Sequence, residues 1–335
     1  PLALNEPFSS TITFKHVGGD SAPGTTLDVS FDSNLTGITW EREVYRAQPA
    51  LVSASDLDGD NGLRIQGEAE FASSGSNVTG VGDLNNDGIQ DFGITTFSVN
   101  NAARLSIIYG TNEGFPADID LATPLTGING SIINGLGPAF STLDADAAGD
   151  INGDTIDDLI VGSVGDISTT SGSSFVIFGK DGGLGESFNV SALNGANGFS
   201  VSGIAVGDSL GSSVSGAGDI NADGVDDVVI GAANASPPNP SGVPTDPPVE
   251  DAGEAYVIFG KRMNEAFGEA IDLTTLDGAN GFTIRGSTAG DALGTQVDRA
   301  GDVNGDQIDD LLITAPQDAI GASRIGQAYV IYGKS

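Results

Sequence analysis

The chain has 335 residues, 39% of them apolar, enough for one large β domain or two ordinary ones and too apolar for a disordered acidic tail. Its formal charge of −34, from 46 acidic and 12 basic side chains, leaves no basic footprint for nucleic acid or an anionic membrane and suits cations or solubility in salty water. There is no cysteine, which excludes a disulfide framework, thiolate metal sites and a cysteine nucleophile.

The chain opens at Pro1 without an initiator Met, so an upstream segment is expected to have been removed or not observed. No signal peptide or apolar run of membrane-spanning length follows. Within residues 1–55, Ser10 to Phe14, Thr26 to Phe31 and Ile38 to Tyr45 alternate like strands. This N-terminal β segment reads as a degenerate repeat unit, a small β module or strands donated to a neighbour. It holds the only His (His16) and the only Trp (Trp40). Trp40 is assigned to a core, and one histidine alone makes no metal site.

From residue 57 a repeat organises the sequence. Four units cover 57–124, 125–192, 193–275 and 276–335. Each opens on a leucine and a short strand ending in glycine: Leu57 to Gly67, Leu125 to Gly135, Leu193 to Gly203 and Leu276 to Gly286. A Gly-Asp pair follows (at Asp83, Asp150, Asp219 and Asp302), then an apolar run, then a closing strand: Ile107 to Gly110, Val176 to Gly179, Val257 to Gly260 and Val330 to Gly333. The β-branched and aromatic runs between Gly, Asp and Ser predict four short strands per unit, and no segment carries a helical stripe. Four-stranded units of this period suggest an all-β propeller, with a stacked solenoid as the other arrangement. The third unit is longer by a proline-rich stretch, Ser236 to Glu250, expected to be an extended loop.

The loops after each Gly-Asp share the form D-x-N-x-D-x-(I/V)-x-D. Their candidate metal ligands are Asp83, Asn85, Asp87, Ile89 and Asp91; Asp150, Asn152, Asp154, Ile156 and Asp158; Asp219, Asn221, Asp223, Val225 and Asp227; and Asp302, Asn304, Asp306, Ile308 and Asp310. Calcium takes six to eight oxygens. Side chains at positions 1, 3 and 5 of a tight turn converge, and the position 7 carbonyl and position 9 carboxylate can complete the shell. About four calcium ions are therefore expected, one per loop. An EF-hand is excluded, because position 12 is Ile94, Val161, Ile230 or Ile313 inside a predicted strand rather than Glu. Position 6 favours a left-handed backbone, which suits Gly88 and Gly224 better than Thr155 and Gln307. Asp56-Leu-Asp58-Gly-Asp60 resembles a fifth loop but aligns with the opening turns at Leu193 and Leu276.

The D-x-N-x-D-x-x-x-D loops, the strands after them (Ile230-Gly231-Ala232, Thr314-Ala315-Pro316) and the Leu-Gly or Phe-x pairs before them (Leu210-Gly211, Leu293-Gly294, Phe71, Phe140) resemble the FG-GAP repeats of integrin α-subunit β-propellers and their bacterial relatives. The resemblance covers residues 57–335. It implies a propeller of FG-GAP-type blades whose hairpin loops bind calcium, and a role in adhesion or surface assembly. Integrin-type propellers have seven blades, whereas four repeats are visible here. The opening strand at Leu63 to Gly67 can complete the last unit and close a ring, or pair with a neighbouring copy.

Gly207-Asp-Ser209-Leu-Gly211 matches the G-x-S-x-G of hydrolases, but the next repeat has Gly290-Asp-Ala292-Leu-Gly294 in its place and His16 is the sole histidine. Paired carboxylates such as Asp157 and Asp158 recur in repeat register, so they read as loop residues rather than glycosidase acids. Two non-enzymatic expectations follow. One is a calcium-stiffened adhesion module with a protein or glycan ligand; the other is a structural subunit of a surface layer, sheath or filament, as a homo-oligomer or fibre. Extracellular calcium sites are typically weak, ~10⁻⁴–10⁻³ M, which points to a secreted or cell-surface protein.

Overall fold

A computed structural model describes residues 53–70, 72–97, 102–138, 142–239, 241, 246–317, 319–320 and 323–335. The chain divides into two units, Pro1–Leu57 and Asp58–Ser335. The strands expected at 10–14, 26–31 and 38–45, together with His16, Trp40, Phe71 and Phe140, lie outside the described residues.

The second unit is all-β, its described helices being single 3-10 turns such as Val190–Ala192 and Leu273–Thr275. Its strands form antiparallel meanders. The first sheet runs Val78–Gly82, Asp91–Phe97, Ala103–Ile108, Gly130–Asn134. The second runs Thr142–Gly149, Asp158–Val164, Ser173–Ile177, Gly198–Ser202. The third runs Leu210–Gly218, Asp227–Ala232, Glu254–Ile258, Gly281–Arg285. The fourth has three strands among the described residues, Val297–Gly301, Asp310–Ala315 and Gln327–Ile331. In the first three sheets the outermost strand is the opening strand of the following repeat, so each sheet spans a repeat boundary.

That opening strand is set by an Asx turn. In the third repeat Asn194 donates its N–H to the Asn197 side chain at 3.0 Å, and Asn194 in turn accepts from Ala196 at 2.9 Å. Asp277 and Asn280 repeat the pattern, as do Asp58 and Asn61. Asp58 therefore sits in an opening turn, in the register its sequence indicates. Beyond the outermost strand a short parallel strand is added: Ser187–Asn189 on the first sheet and Ala270–Ile271 on the second. Arg64–Gln66 and Asp118–Asp120 make the same parallel pair.

The innermost strands lie side by side, Thr142–Gly149 between Val78–Gly82 and Leu210–Gly218, and Val297–Gly301 beyond. Three apolar cores fill the spaces between successive sheets. Leu84, Ile107 and Tyr109 meet Leu159, Val161 and Ile177; Ile151, Val176 and Phe178 meet Val228, Ile230 and Ile258; Ile220 and Val257 meet Leu311 and Ile313. The strands after the second and third loops thus send apolar residues to both faces, Leu159 and Val161 to one core and Ile160 to the next, Val228 and Ile230 to one and Val229 to the next, which is why those runs are continuously apolar rather than alternating. Among the described residues no strand links the fourth sheet to the first.

Candidate functional site

Each innermost strand carries a register shift just before its Gly-Asp, ending at Gly82, Gly149, Gly218 and Gly301. All four glycines have positive φ, between 66° and 81°. A bulge with glycine in the left-handed region bends the strand and aims the following hairpin loop. The four predicted loops therefore stand at corresponding ends of their sheets, flanked by strands on both sides.

Within each loop the five predicted positions are brought together by one hydrogen-bond pattern. The position 1 carboxylate accepts the N–H of positions 5 and 6: at Asp150 these come from Asp154 at 2.9 Å and Thr155 at 2.8 Å. Position 3 shares the first of these donors, Asn152 Oδ1 lying 2.9 Å from Asp154 N. Position 5 accepts from position 7, Ile156 N to Asp154 Oδ1 at 3.0 Å. Asp83, Asp219 and Asp302 open loops with the same bonds. Two oxygens converging on a single N–H place positions 1 and 3 against each other. As the side chains stand, they are turned to the backbone, and no three acidic groups among the described residues are gathered as a metal cluster.

Position 9 closes the loop from inside. Asp91, Asp158, Asp227 and Asp310 are at most 2% exposed. Each accepts one N–H from position 2 of its loop and one from the closing glycine: Asp227 takes Ile220 at 3.0 Å and Gly260 at 2.8 Å. Burial pushes the Asp158 carboxyl up to about 9, Asp227 to about 8 and Asp91 to about 6. The two N–H donors oppose that rise, and the carboxylates at positions 1 and 5 add to it. The position 7 side chains of Ile89, Ile156, Val225 and Ile308 lie against the closing glycines Gly110, Gly179, Gly260 and Gly333. Val225 is buried, and the other three are half-buried.

The backbone is left-handed at position 6 in all four loops, including Thr155 (φ 73°) and Gln307 (φ 70°), and also at position 4, where Asn86 and Ala222 have φ 57°. Sequence reasoning anticipates position 6 and misses position 4. It also misses position 8. Asp157, Asp226 and Asp309 reach out of their own loop and accept the position 1 N–H of the loop on the preceding sheet: Asp83 at 2.7 Å, Asp150 at 2.9 Å and Asp219 at 3.1 Å. The signal was the repeated Asp-Asp pair, with Gln90 as its exception in the first loop. Arg299 holds Asp309 with a pair of bonds at 3.0 and 2.9 Å. The innermost strands border a cavity of about 420 Å³, lined by Gln90, Asp146, Asp157, Asp226, Asp298 and Arg299 among others.

Ser209 of the G-x-S-x-G segment has φ 61°, and Ala292 has φ 57° at the same place in the next repeat. The Ser209 hydroxyl is engaged by Asn234 Nδ2 at 2.9 Å. The turn is thus a shared feature of the repeat. No helix among the described residues is long and apolar enough to cross a membrane.

Residues 210–258 match the FG-GAP repeat family, a span that holds the third loop and the strands around it. A phosphatidylinositol-glycan-specific phospholipase D of Dictyostelium discoideum is 29% identical over 195 residues, which is 55% of this chain and 19% of that protein. The chain therefore spans only a small part of its relative's length.

Proposed function

We propose, for a chain that carries an FG-GAP repeat at residues 210–258, that it is an extracellular β-propeller module stabilised by calcium and acting in adhesion or recognition. The observation that carries this reading is the four-fold recurrence of one loop with an all-oxygen donor set. Hard oxygen ligands at positions 1, 3, 5 and 9 are the chemistry calcium takes. The loop suits the ion because the side-chain oxygens of positions 1 and 3 already converge on one N–H, and that of position 5 on the N–H of position 7. Asp83, Asn85, Asp87 and Asp91, with their counterparts in the other loops, would hold one ion each. A bound calcium would supply positive charge to a hairpin that carries carboxylates at positions 1, 5 and 9.

The chain's own residues do the rest. Position 9 ties the loop to the closing strand, and position 8 ties it to the neighbouring sheet. A loop whose carboxylates are neutralised therefore stiffens a junction as well as a turn. Weak sites filled by millimolar external calcium favour a protein stabilised after export. The relative's phospholipase activity belongs to that protein, and the present chain is read as a non-catalytic binding module.

Thermal melts with millimolar calcium and with chelator test the reading. An ion that binds the native state alone raises the midpoint by mass action. Isothermal titration should count about four sites, one for each loop of the pattern. An unchanged midpoint and no heat of binding would sink the calcium reading. Binding of the calcium-loaded chain to glycan and extracellular-protein arrays tests the adhesive role, and loss of all binding there would remove it.

A further inference from the structure

The junctions between successive sheets join the D-x-N-x-D loops to one another. Position 8 of each later loop reaches position 1 of the loop before it: Asp157 to Asp83, Asp226 to Asp150 and Asp309 to Asp219. The place each carboxylate takes is shaped for it. It lies against the bulge glycine that precedes the earlier loop, and a Cβ built on Gly82, Gly149 or Gly218 would overlap the Asp157, Asp226 or Asp309 side chain.

Both ends of that bond sit inside a candidate donor set. Position 1 is the residue whose carboxylate accepts the N–H groups of positions 5 and 6 in its own loop, so the bond from position 8 holds the same residue by its backbone. Position 8 is flanked by position 7, whose carbonyl is a candidate ligand, and by position 9, whose buried carboxylate is another. Whatever orders positions 7 and 9 of one loop therefore also sets the side chain between them, and with it the first donor of the preceding loop. Between the third and second loops the bond is returned, the Asp226 N–H donating to the Asp150 carbonyl at 3.2 Å. A second thread runs beside it. Asp227 accepts the Gly260 N–H at 2.8 Å, and the next residue, Lys261, donates its N–H to the carbonyl of Ile151, position 2 of the second loop, at 2.8 Å.

We propose that the four loops bind calcium as a coupled series, in which occupancy of one loop tightens the loop on the preceding sheet through the position 8 carboxylate. This rests on the calcium reading and adds to it that position 8, whose side chain is turned out of its own loop, is the positioning residue that links the sites. Coupling of this kind is reciprocal, so the preceding loop tightens the following one by the same factor. One effect opposes it: positive charge gained by one loop repels a cation at the next. Salt near 0.15 M, where the screening length is about 8 Å, weakens that repulsion and leaves the hydrogen-bonded link.

The test is a calcium titration of the full chain in salt of that strength, followed by the backbone amides in NMR spectra. Gly88 reports the first loop, Gly153 the second and Gly224 the third. The second and third loops give the cleanest reading, because Asp309 is also held by Arg299 whereas Asp226 bonds Asp150 alone through its side chain. Asp223→Ala removes a donor from the third loop and should raise the calcium midpoint at Gly153 by about fivefold or more, the lower end of ordinary site-to-site coupling. The midpoint at Gly88, two loops away, should move less. Asp154→Ala should raise the midpoint at Gly224 by the same factor as Asp223→Ala raises it at Gly153. Position 8 completes the cycle. In an Asp226→Ala background the effect of Asp223→Ala on Gly153 should shrink to the part carried by the Lys261 thread. In an Asp226→Asn background, which keeps an acceptor oxygen without the charge, it should return.

Circular dichroism at the titration temperature checks each fold. Should Asp223→Ala not fold, Asp223→Asn weakens the same site while keeping the shape of the side chain. A Gly153 midpoint unmoved while the third loop is disabled overturns the coupling and leaves the calcium reading standing. So does an effect of undiminished size in the Asp226→Ala background, because the link then runs elsewhere. An effect lost equally with Ala and Asn at position 226 overturns the hydrogen-bonded link in favour of charge alone. Amides that shift at no loop of the wild type remove the calcium reading, and this proposal with it.

Discussion

The carboxylate of Asp226 lies 2.9 Å from the backbone N of Asp150, so a side chain of the third sheet closes the hairpin loop of the second. Its neighbour Asp227 turns the other way and binds Ile220 N and Gly260 N within its own sheet. Successive residues at the start of a strand point to opposite sides, which is how one Asp-Asp pair serves two elements. Asp157 with Asp158 and Asp309 with Asp310 repeat the division.

Removing the cross-sheet acceptor should loosen a junction. Asp226→Ala leaves the Asp150 N–H without its partner and is expected to cost about 1–2 kcal/mol, between a neutral and a charge-assisted hydrogen bond. Asp226→Asn keeps an oxygen in place and should recover at least half of that loss. Urea unfolding of both variants checks the ordering. Equal stability of Ala and Asn would mean that the bond contributes nothing net.

Much of this arrangement was legible in the sequence because the repeat puts chemically alike residues in register. The four loops, the strands after them and the opening turn at Asp58 follow from spacing alone. Position 8 was not legible, because both residues of an Asp-Asp pair look like ligands until the strand direction separates them. The left-handed backbone at Ala222 was hidden as well, since alanine gives no sign of positive φ.

The raised carboxyls at position 9 set a pH dependence with a definite sign. Asp91, Asp158 and Asp227 have folded values pushed up to about 6, 9 and 8. A carboxyl raised on folding favours the native state most below its unfolded value near 4, and that contribution is lost as pH rises through the folded value. In chelator the urea midpoint should therefore fall steadily between pH 5 and 9, and the net charge of −34 adds repulsion in the same direction. Calcium, which needs the ionised form, should flatten or reverse the slope. Urea titrations at four pH values with and without calcium decide this. A midpoint that rises with pH in chelator would contradict the assignment.

Thr155 stands at φ 73°, where its counterparts Gly88 and Gly224 have φ 87° and 91°. A β-branched residue in the left-handed region is strained by about 1–2 kcal/mol. Glycine relieves that strain but adds freedom to the unfolded chain, so Thr155→Gly should stabilise by about 0.5–1 kcal/mol net. The reverse change, Gly224→Thr, should destabilise by at least as much. Paired chemical melts of the two variants check the sign, and a destabilised Thr155→Gly would show that the hydroxyl or methyl of Thr155 makes a contact worth more than the strain.

The closing glycines are fixed by space rather than by φ. A Cβ on Gly260 would sit 2.2 Å from the Asp226 carbonyl oxygen and 2.6 Å from Val225 Cγ1, both parts of the loop it closes. Backbone cannot give way as a flexible side chain does, so Gly260→Ala must push the loop from the closing strand and stretch the Gly260 N–H from Asp227. Overpacking of this kind costs about 1–3 kcal/mol, and the weakened bond to a buried carboxylate places it at the upper end. Gly80 supplies the control: it lies in an innermost strand with nothing within 4 Å of a built Cβ. Gly80→Ala should be neutral to slightly stabilising by its effect on the unfolded chain, within about 0.5 kcal/mol. Hydrogen exchange adds a local readout. Gly260→Ala should speed exchange at Ile220, whose N–H shares the Asp227 carboxylate, and leave the first loop at Leu84 unchanged. Uniform acceleration at both would mean that the closing glycine acts on global stability rather than on its own loop.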